Sequence, residues 1–200
     1  MRVWIVTGGI GSGKTEVCRI LHRLGYVCQY DSDSRVKALY DRYPELVERI
    51  EQNLGCSLRD ENGHFVPSLL AGRIFSERAA LELVENLVFP VLMQDFTEFA
   101  SGAEVVIFES ATILQKRYFD AFGDDVIYVD APQQVRLYRA CKRDALPQEK
   151  VLSRMENQRL TQEECARISF RIDSDCSLEE LEQRVRFVVR QLEDKQLIDN

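Results

Sequence analysis

Thr7-Gly8-Gly9-Ile10-Gly11-Ser12-Gly13-Lys14-Thr15 stands between two stretches of different period. Before it, Arg2–Val6 (RVWIV) is a short run rich in β-branched and aromatic residues, the mark of a buried strand. After it, Val17, Cys18, Ile20, Leu21 and Leu24 recur at helical spacing, and Gly25 closes the helix as a C-terminal cap. Gly8 to Thr15 fits the phosphate-binding loop pattern of Gly, four residues, then Gly-Lys-Ser/Thr. Each residue type has a task. The glycines Gly9, Gly11 and Gly13, with Ile10 and Ser12 between them, let consecutive backbone N–H groups turn toward phosphate oxygens. The helix that starts there adds the positive end of its dipole. Lys14 bridges β- and γ-phosphates, and the Thr15 hydroxyl ligates Mg²⁺. The stretch predicts a nucleoside triphosphate site at a strand-to-helix junction.

Working outward, Tyr26–Tyr30 reads as a second strand running into Asp31. From Ser34 to about Ala100 the chain changes character. Pro44–Leu54, Ser68–Ile74 and Glu77–Leu87 read as helices, with a turn at Asp60–Gly63. This span exceeds an ordinary crossover and predicts a mostly helical insertion. Glu104–Phe108 and Val126–Val129 are further apolar runs, ending in Glu109 and Asp130. Phe170–Ile172 is a weaker one, followed by a last helix from about Leu178 to Leu192. Strands alternating with helices predict an α/β fold with a parallel sheet and helices on both faces.

The chain has 200 residues, 45% of them apolar and 30% charged, which suits one compact α/β unit with small insertions. Lys plus Arg total 26 against 33 for Asp plus Glu, a net charge of −7. That balance argues against nucleic acid or an anionic membrane as the main partner. No apolar run approaches the roughly 18–20 residues of a membrane span, and the start shows no signal-peptide pattern. The six cysteines form no CxxC pair, and with only His22 and His64 beside them they offer no zinc-ligand spacing. They read as reduced, mostly buried side chains, and the expected location is cytoplasmic.

Three acidic and basic features surround the loop in sequence. Asp31 and Asp33 follow the second strand; if the chain stays extended they share one side and face the phosphates, and otherwise Asp33 or Ser34 caps a helix beginning near Arg35. Glu109 and Asp130 end later strands, and either can supply the acidic group that supports Mg²⁺. Between Arg136 and Arg159 seven basic residues stand against three acidic ones. Alone, such a run is a solvated face. Beside a phosphate loop it predicts a helical lid whose Arg139, Arg143 and Arg154 close on the anion.

The order of these motifs resembles the dephospho-coenzyme A kinase family. The family opens with a strand, TGGIGSGK followed by Ser or Thr, a helix, and Asp-x-Asp after the second strand, here Thr7–Thr15 and Asp31-Ser32-Asp33. Arg73-Ile74-Phe75 is similar to its Arg-x-x-Phe region, one residue shorter, and Glu85–Pro90 to the segment before its His-Pro pair. Val126–Pro132, Arg139-Ala-Cys-Lys-Arg143-Asp144, Gln158 and Ser177–Leu181 continue the likeness over nearly the whole chain. The resemblance implies a P-loop, doubly wound parallel sheet of about five strands. It divides the chain into a nucleotide-binding core (1–33, 101–135 and 166–200), a helical insertion (34–100) for dephospho-CoA, and a small helical lid (136–165). The implied reaction is ATP-dependent phosphorylation of the ribose 3′-hydroxyl of dephospho-CoA, the last step of coenzyme A synthesis. Asp33 would be the catalytic base, with Lys14 and Arg143 steadying the transferring group. Arg139 would contact the nucleotide, and Asp31, Asp33 and Arg73 the acceptor. ATP and Mg²⁺ are the implied cofactors, dephospho-CoA the partner, and a monomer the expected state. Three positions depart from the family. Phe89 stands where His precedes Pro90, Ala111–Gln115 replaces a Pro-Leu-Leu-Phe-Glu run, and Ser174 replaces a common Asn. A kinase of another small acceptor such as a nucleoside monophosphate, and a P-loop ATPase or switch, remain the alternatives.

Overall fold

The structure is a computed structural model that describes residues 1–116 and 123–198, except the side chains of Phe75, Gln196 and Ile198. It divides into two compact units, residues 1–31 with 102–200, and residues 32–101.

The first unit is built on a five-stranded sheet. Strands β1 (Arg2–Thr7), β2 (Gln29–Asp31), β3 (Val105–Glu109), β4 (Asp125–Asp130) and β5 (Phe170–Asp173) lie in the order β2-β3-β1-β4-β5, every pair parallel. The central β1 is buried from Val3 to Thr7, as a strand covered on both faces must be. Helix α1 (Lys14–Arg23) follows the glycine loop. Its Val17, Cys18, Ile20 and Leu21 form one buried stripe, set against Trp4, Val6, Ile107 and Val129 of the sheet. Gly25, at φ 103°, is the left-handed residue that ends it. The last helix of the chain, from Leu178 to Ile198, lays Leu181, Val185, Val188 and Leu192 into the same core.

The second unit is helical: α2 (Ser32–Arg42), α3 (Pro44–Leu54), α4 (Pro67–Ser76) and α5 (Arg78–Phe99), with a single antiparallel bridge Arg59–Phe65 across the Asp60–Gly63 turn. Its apolar interior includes Leu39, Leu46, Ile50, Val84, Leu92 and Phe96. Asp95 of α5 is buried among them and meets Arg35 and Arg42 of α2 at 3.5 and 3.2 Å. Back in the first unit, α6 (Gln133–Asp144) and α7 (Gln148–Asn157) form a hairpin. A short α8 (Gln162–Ala166), closed by a Thr161–Glu164 capping box, leads to β5, and α9 (Leu178–Ile198) completes the chain.

Two expectations need correction. The second strand is shorter than Tyr26–Tyr30, because Gly25-N to His22-O and Tyr26-N to Leu21-O bonds keep the chain in the helix-ending turn, and pairing with β3 begins at Gln29. The chain also does not stay extended through Asp33. Helix α2 starts at Ser32, earlier than Arg35, so the alternation that would put Asp31 and Asp33 on one side stops at Asp31. Asp33 lies in the first turn of α2, where a carboxylate complements the helix dipole.

Candidate active site

The carboxyl end of β1 opens into the loop Gly8–Gly13, and Gly13, at φ 93°, is the N-cap of α1. No side chain caps this end. A helix start that no side chain caps, with the positive end of its dipole turned to the loop, is a receptor for an anion. Lys14 Nζ bends back over the loop and donates to the carbonyls of Gly8 at 2.8 Å and Gly9 at 3.5 Å. The Ser12 hydroxyl is buried without a hydrogen-bond partner among the described residues. Cation, helix end and an orphaned loop hydroxyl fit a phosphate chain. Gly8 and Gly11 are required on two counts. Both have positive φ, and a Cβ would strike the Val129 carbonyl from Gly8 or the Arg136 carbonyl from Gly11.

The sheet register then brings acids to the loop. Glu109 pairs with Val6 on one side and Asp31 on the other, so the last residues of β2 and β3 stand level with the end of β1. Thr15 Oγ1 donates to Glu109 Oε1 at 3.3 Å. Burial, and next the Glu109 carboxylate, push the Cys18 thiol up, which keeps it protonated and inert. Asp130 is engaged elsewhere: Oδ1 accepts the Ala131 N–H at 2.9 Å and lies 3.6 Å from Arg136 Nη1. Among the described residues no cluster of three His, Cys, Asp or Glu could hold a metal unaided. Thr15 and Glu109 instead provide hard oxygen atoms beside a phosphate site, the donor set Mg²⁺ takes when substrate phosphates complete its shell.

The α6–α7 hairpin grips the loop from the other side. The Ile10 side chain sits in a small core with Ala140, Val151 and Met155. Its N–H donates to Gln158 Oε1 at 2.7 Å, and its carbonyl accepts from Arg136 Nε at 3.1 Å. Arg139 donates from Nη1 to Ser174 Oγ at 2.8 Å and from Nη2 to Ser174 O at 2.9 Å, while Ser174 Oγ donates to Ser12 O at 2.6 Å. Ser174, where the family resemblance led us to look for Asn, is thus a buried bolt between α6 and the phosphate loop. Arg143, at the end of α6, forms a two-pronged pair with Asp144 at 2.6 and 2.8 Å. That hydrogen bond raises the Arg143 pKa and holds the Asp144 carboxyl below its ordinary value.

Of the residues singled out in the sequence, Gly9 to Thr15, Asp31, Arg139 and Arg143 belong to the first unit, and Asp33 and Arg73 to the second. Arg73 is half-exposed on α4, paired with Glu77 at 3.4 Å. Phe89 and Pro90 fall inside α5. Arg136 carries a loop contact, and Gln115 contacts to the turn after α7, that the sequence does not assign. In the sequence Arg136 counts only as one charge in a run. Its spacing of three and seven from Arg139 and Arg143, which puts the three on one helix face, was the available signal.

A family model described as dephospho-CoA kinase matches residues 3–180. The dephospho-CoA kinase of Porphyromonas gingivalis is 41% identical over 155 residues, covering 76% of this chain and 75% of that protein. The dephospho-CoA kinase of Chlorobaculum tepidum is 31% identical over 196 residues, 94% of this chain and 93% of the relative. Among solved structures, TT1252 from Thermus thermophilus superposes with a TM-score of 0.81 at 26% identity, covering 96% of this chain and 97% of that one.

Proposed function

The chain belongs to the dephospho-CoA kinase family and so acts as an ATP-dependent kinase in the last step of coenzyme A biosynthesis; we propose that the residues gathered around the Gly8–Thr15 loop carry out that transfer. One observation carries this assignment: a glycine loop at the end of the central parallel strand, with Lys14 folded over it and the start of α1 left without a side-chain cap. Ligands in such sheets bind beyond the carboxyl ends of the strands.

In this reading Gly9, Ile10, Gly11, Ser12 and Gly13 shape the cradle for the β- and γ-phosphates, and Lys14 exchanges its contact with Gly8 for the phosphoryl oxygens. Thr15 is the Mg²⁺ ligand, and its contact with Glu109, against Asp130's engagement with Arg136, supports Glu109 as the acid behind it. When bound, Mg²⁺ neutralises charge on the β- and γ-phosphates. Arg143, held ready by Asp144, supplies a second cation to the transferring group. Arg139 steadies the nucleotide side through Ser174 and Ser12. Asp33 orients the ribose 3′-hydroxyl of dephospho-CoA and takes its proton, and Asp31 and Arg73 contact the acceptor. Residues 34–100 are the acceptor-binding insertion, and 136–165, including α6 and α7, the lid. No described helix is long and apolar enough to cross a membrane. We assign the protein to the cytoplasm as a monomer.

The test is ADP release from ATP and Mg²⁺ with and without dephospho-CoA, with adenosine and AMP as control acceptors. Release that requires dephospho-CoA, with coenzyme A formed in equal amount, is the expected result. Release indifferent to acceptor would replace this reading with that of an ATPase.

A further inference from the structure

One of the fastenings of the phosphate loop is at the Ile10 N–H. Ile10 donates its N–H to Gln158, the C-cap of α7, where a helix leaves its last carbonyls without partners inside the helix. The Gln115 side chain reaches that end. Its Nε2 donates to Asn157 O at 3.0 Å and to Arg159 O at 3.4 Å, the carbonyls on either side of Gln158. Both partners are acceptors only, so the amide orientation is fixed by chemistry. Gln115 is itself anchored, since it closes a short 3-10 turn whose Ile113 and Leu114 are buried.

We infer that Gln115 is a positioning residue for ATP, acting through the Asn157–Arg159 turn and Gln158 on the Ile10 N–H of the phosphate loop. This rests on the reading that the loop holds ATP. The chemistry singles out the amide. A carboxylate of the same shape would aim an anion at two carbonyl oxygens at the negative end of a helix, and the turn would move away. Position 115 is also where the resemblance led us to look for Glu, so the amide is a property of this chain.

The near-isosteric Gln115→Glu tests it beside Gln115→Lys, which keeps a donor, Gln158→Ala, and the Gln115→Glu/Gln158→Ala double variant. Gln115→Glu should raise KM for ATP about 5- to 20-fold, the worth of a lost hydrogen bond with added repulsion, and change kcat less than about 3-fold. Gln115→Lys should stay within about 3-fold of the parent protein. Because one residue acts through the other, the double variant should bind ATP no worse than Gln158→Ala alone. Hydrogen exchange at the Ile10 amide, read without nucleotide, should be faster in Gln115→Glu by a similar factor of about 5 to 20. An unchanged KM for ATP with unchanged exchange, or single effects that multiply in the double variant, would overturn the inference. A parent protein that turns over no ATP would sink the kinase reading instead, and the exchange measurement would still decide the role of Gln115.

Discussion

At the scale of the residue, Asp33 is the side chain on which the chemistry is proposed to turn. General-base help is worth about 10²–10⁴-fold, and a loose phosphoryl-transfer transition state asks little of a base early on. Asp33→Asn should therefore lower kcat by about 10²-fold, at the bottom of that range, and leave KM for ATP within about 3-fold. Steady-state kinetics with both substrates varied would show it, and near-normal turnover would refute the role. The phosphate loop was legible because its residues act through their own backbone: glycines at fixed spacing, then Lys14 and Thr15. Gln115 and Arg136 were not legible in the same way. Their partners are carbonyls of Asn157, Arg159 and Ile10, and a backbone oxygen leaves no signature in a sequence. Ser174 shows the same limit, because a hydroxyl read as a missing amide is in fact a link between Arg139 and Ser12.

At the scale of the element, strands and helices were readable where period and punctuation agreed. Pro44 and Gly55 bracket α3 as N1 residue and left-handed cap, and Pro44–Leu54 is the helix observed. The sequence pattern gives the next long helix as Glu77–Leu87, yet α5 runs from Arg78 to Phe99 with Pro90 inside. Val84, Val88, Leu92 and Phe96 are buried along one stripe of it, and that packing outweighs the hydrogen bond a proline removes. The Asp31–Asp33 boundary went the other way, since three residues of extended chain are too few for alternation to declare itself. The end of α6 carries a pH signature. Asp144 has its folded pKa depressed below the ordinary 3.8, chiefly by the Arg143 hydrogen bond. Its contribution is thus complete above that value and is lost as pH falls through the lower folded one. With Arg143 61% exposed, the pair is worth at most about 1 kcal/mol. Denaturant titrations should find Asp144→Asn slightly less stable than the parent at pH 7, with the difference shrinking as pH falls below the ordinary carboxylate range. A difference that persisted there would locate the effect in packing.

At the scale of the whole molecule, a net charge of −7 and a locally basic α6–α7 hairpin divide the labour of attraction. Repulsion from the bulk discourages polyanions, while the local cations meet a small phosphate compound at short range, inside the roughly 8 Å over which salt leaves charges visible. The strand order has a different consequence, one of time. Arg2 finds its sheet partner at Val105, Trp4 a second one at Asp125, and Asp130 must be reached before β4 is whole. Contacts of such separation are slow to form, whereas the helices of residues 32–101 meet neighbours close in sequence. In refolding followed by pulsed hydrogen exchange, amides of α5 should gain protection before those of β1, and simultaneous protection would contradict the order. On a ribosome adding about 5–20 residues per second, the apolar RVWIVT segment waits on the order of ten seconds for a partner. The stretch synthesised first is completed late, and for that interval the nascent chain carries an unpaired adhesive strand that a holding chaperone is suited to cover.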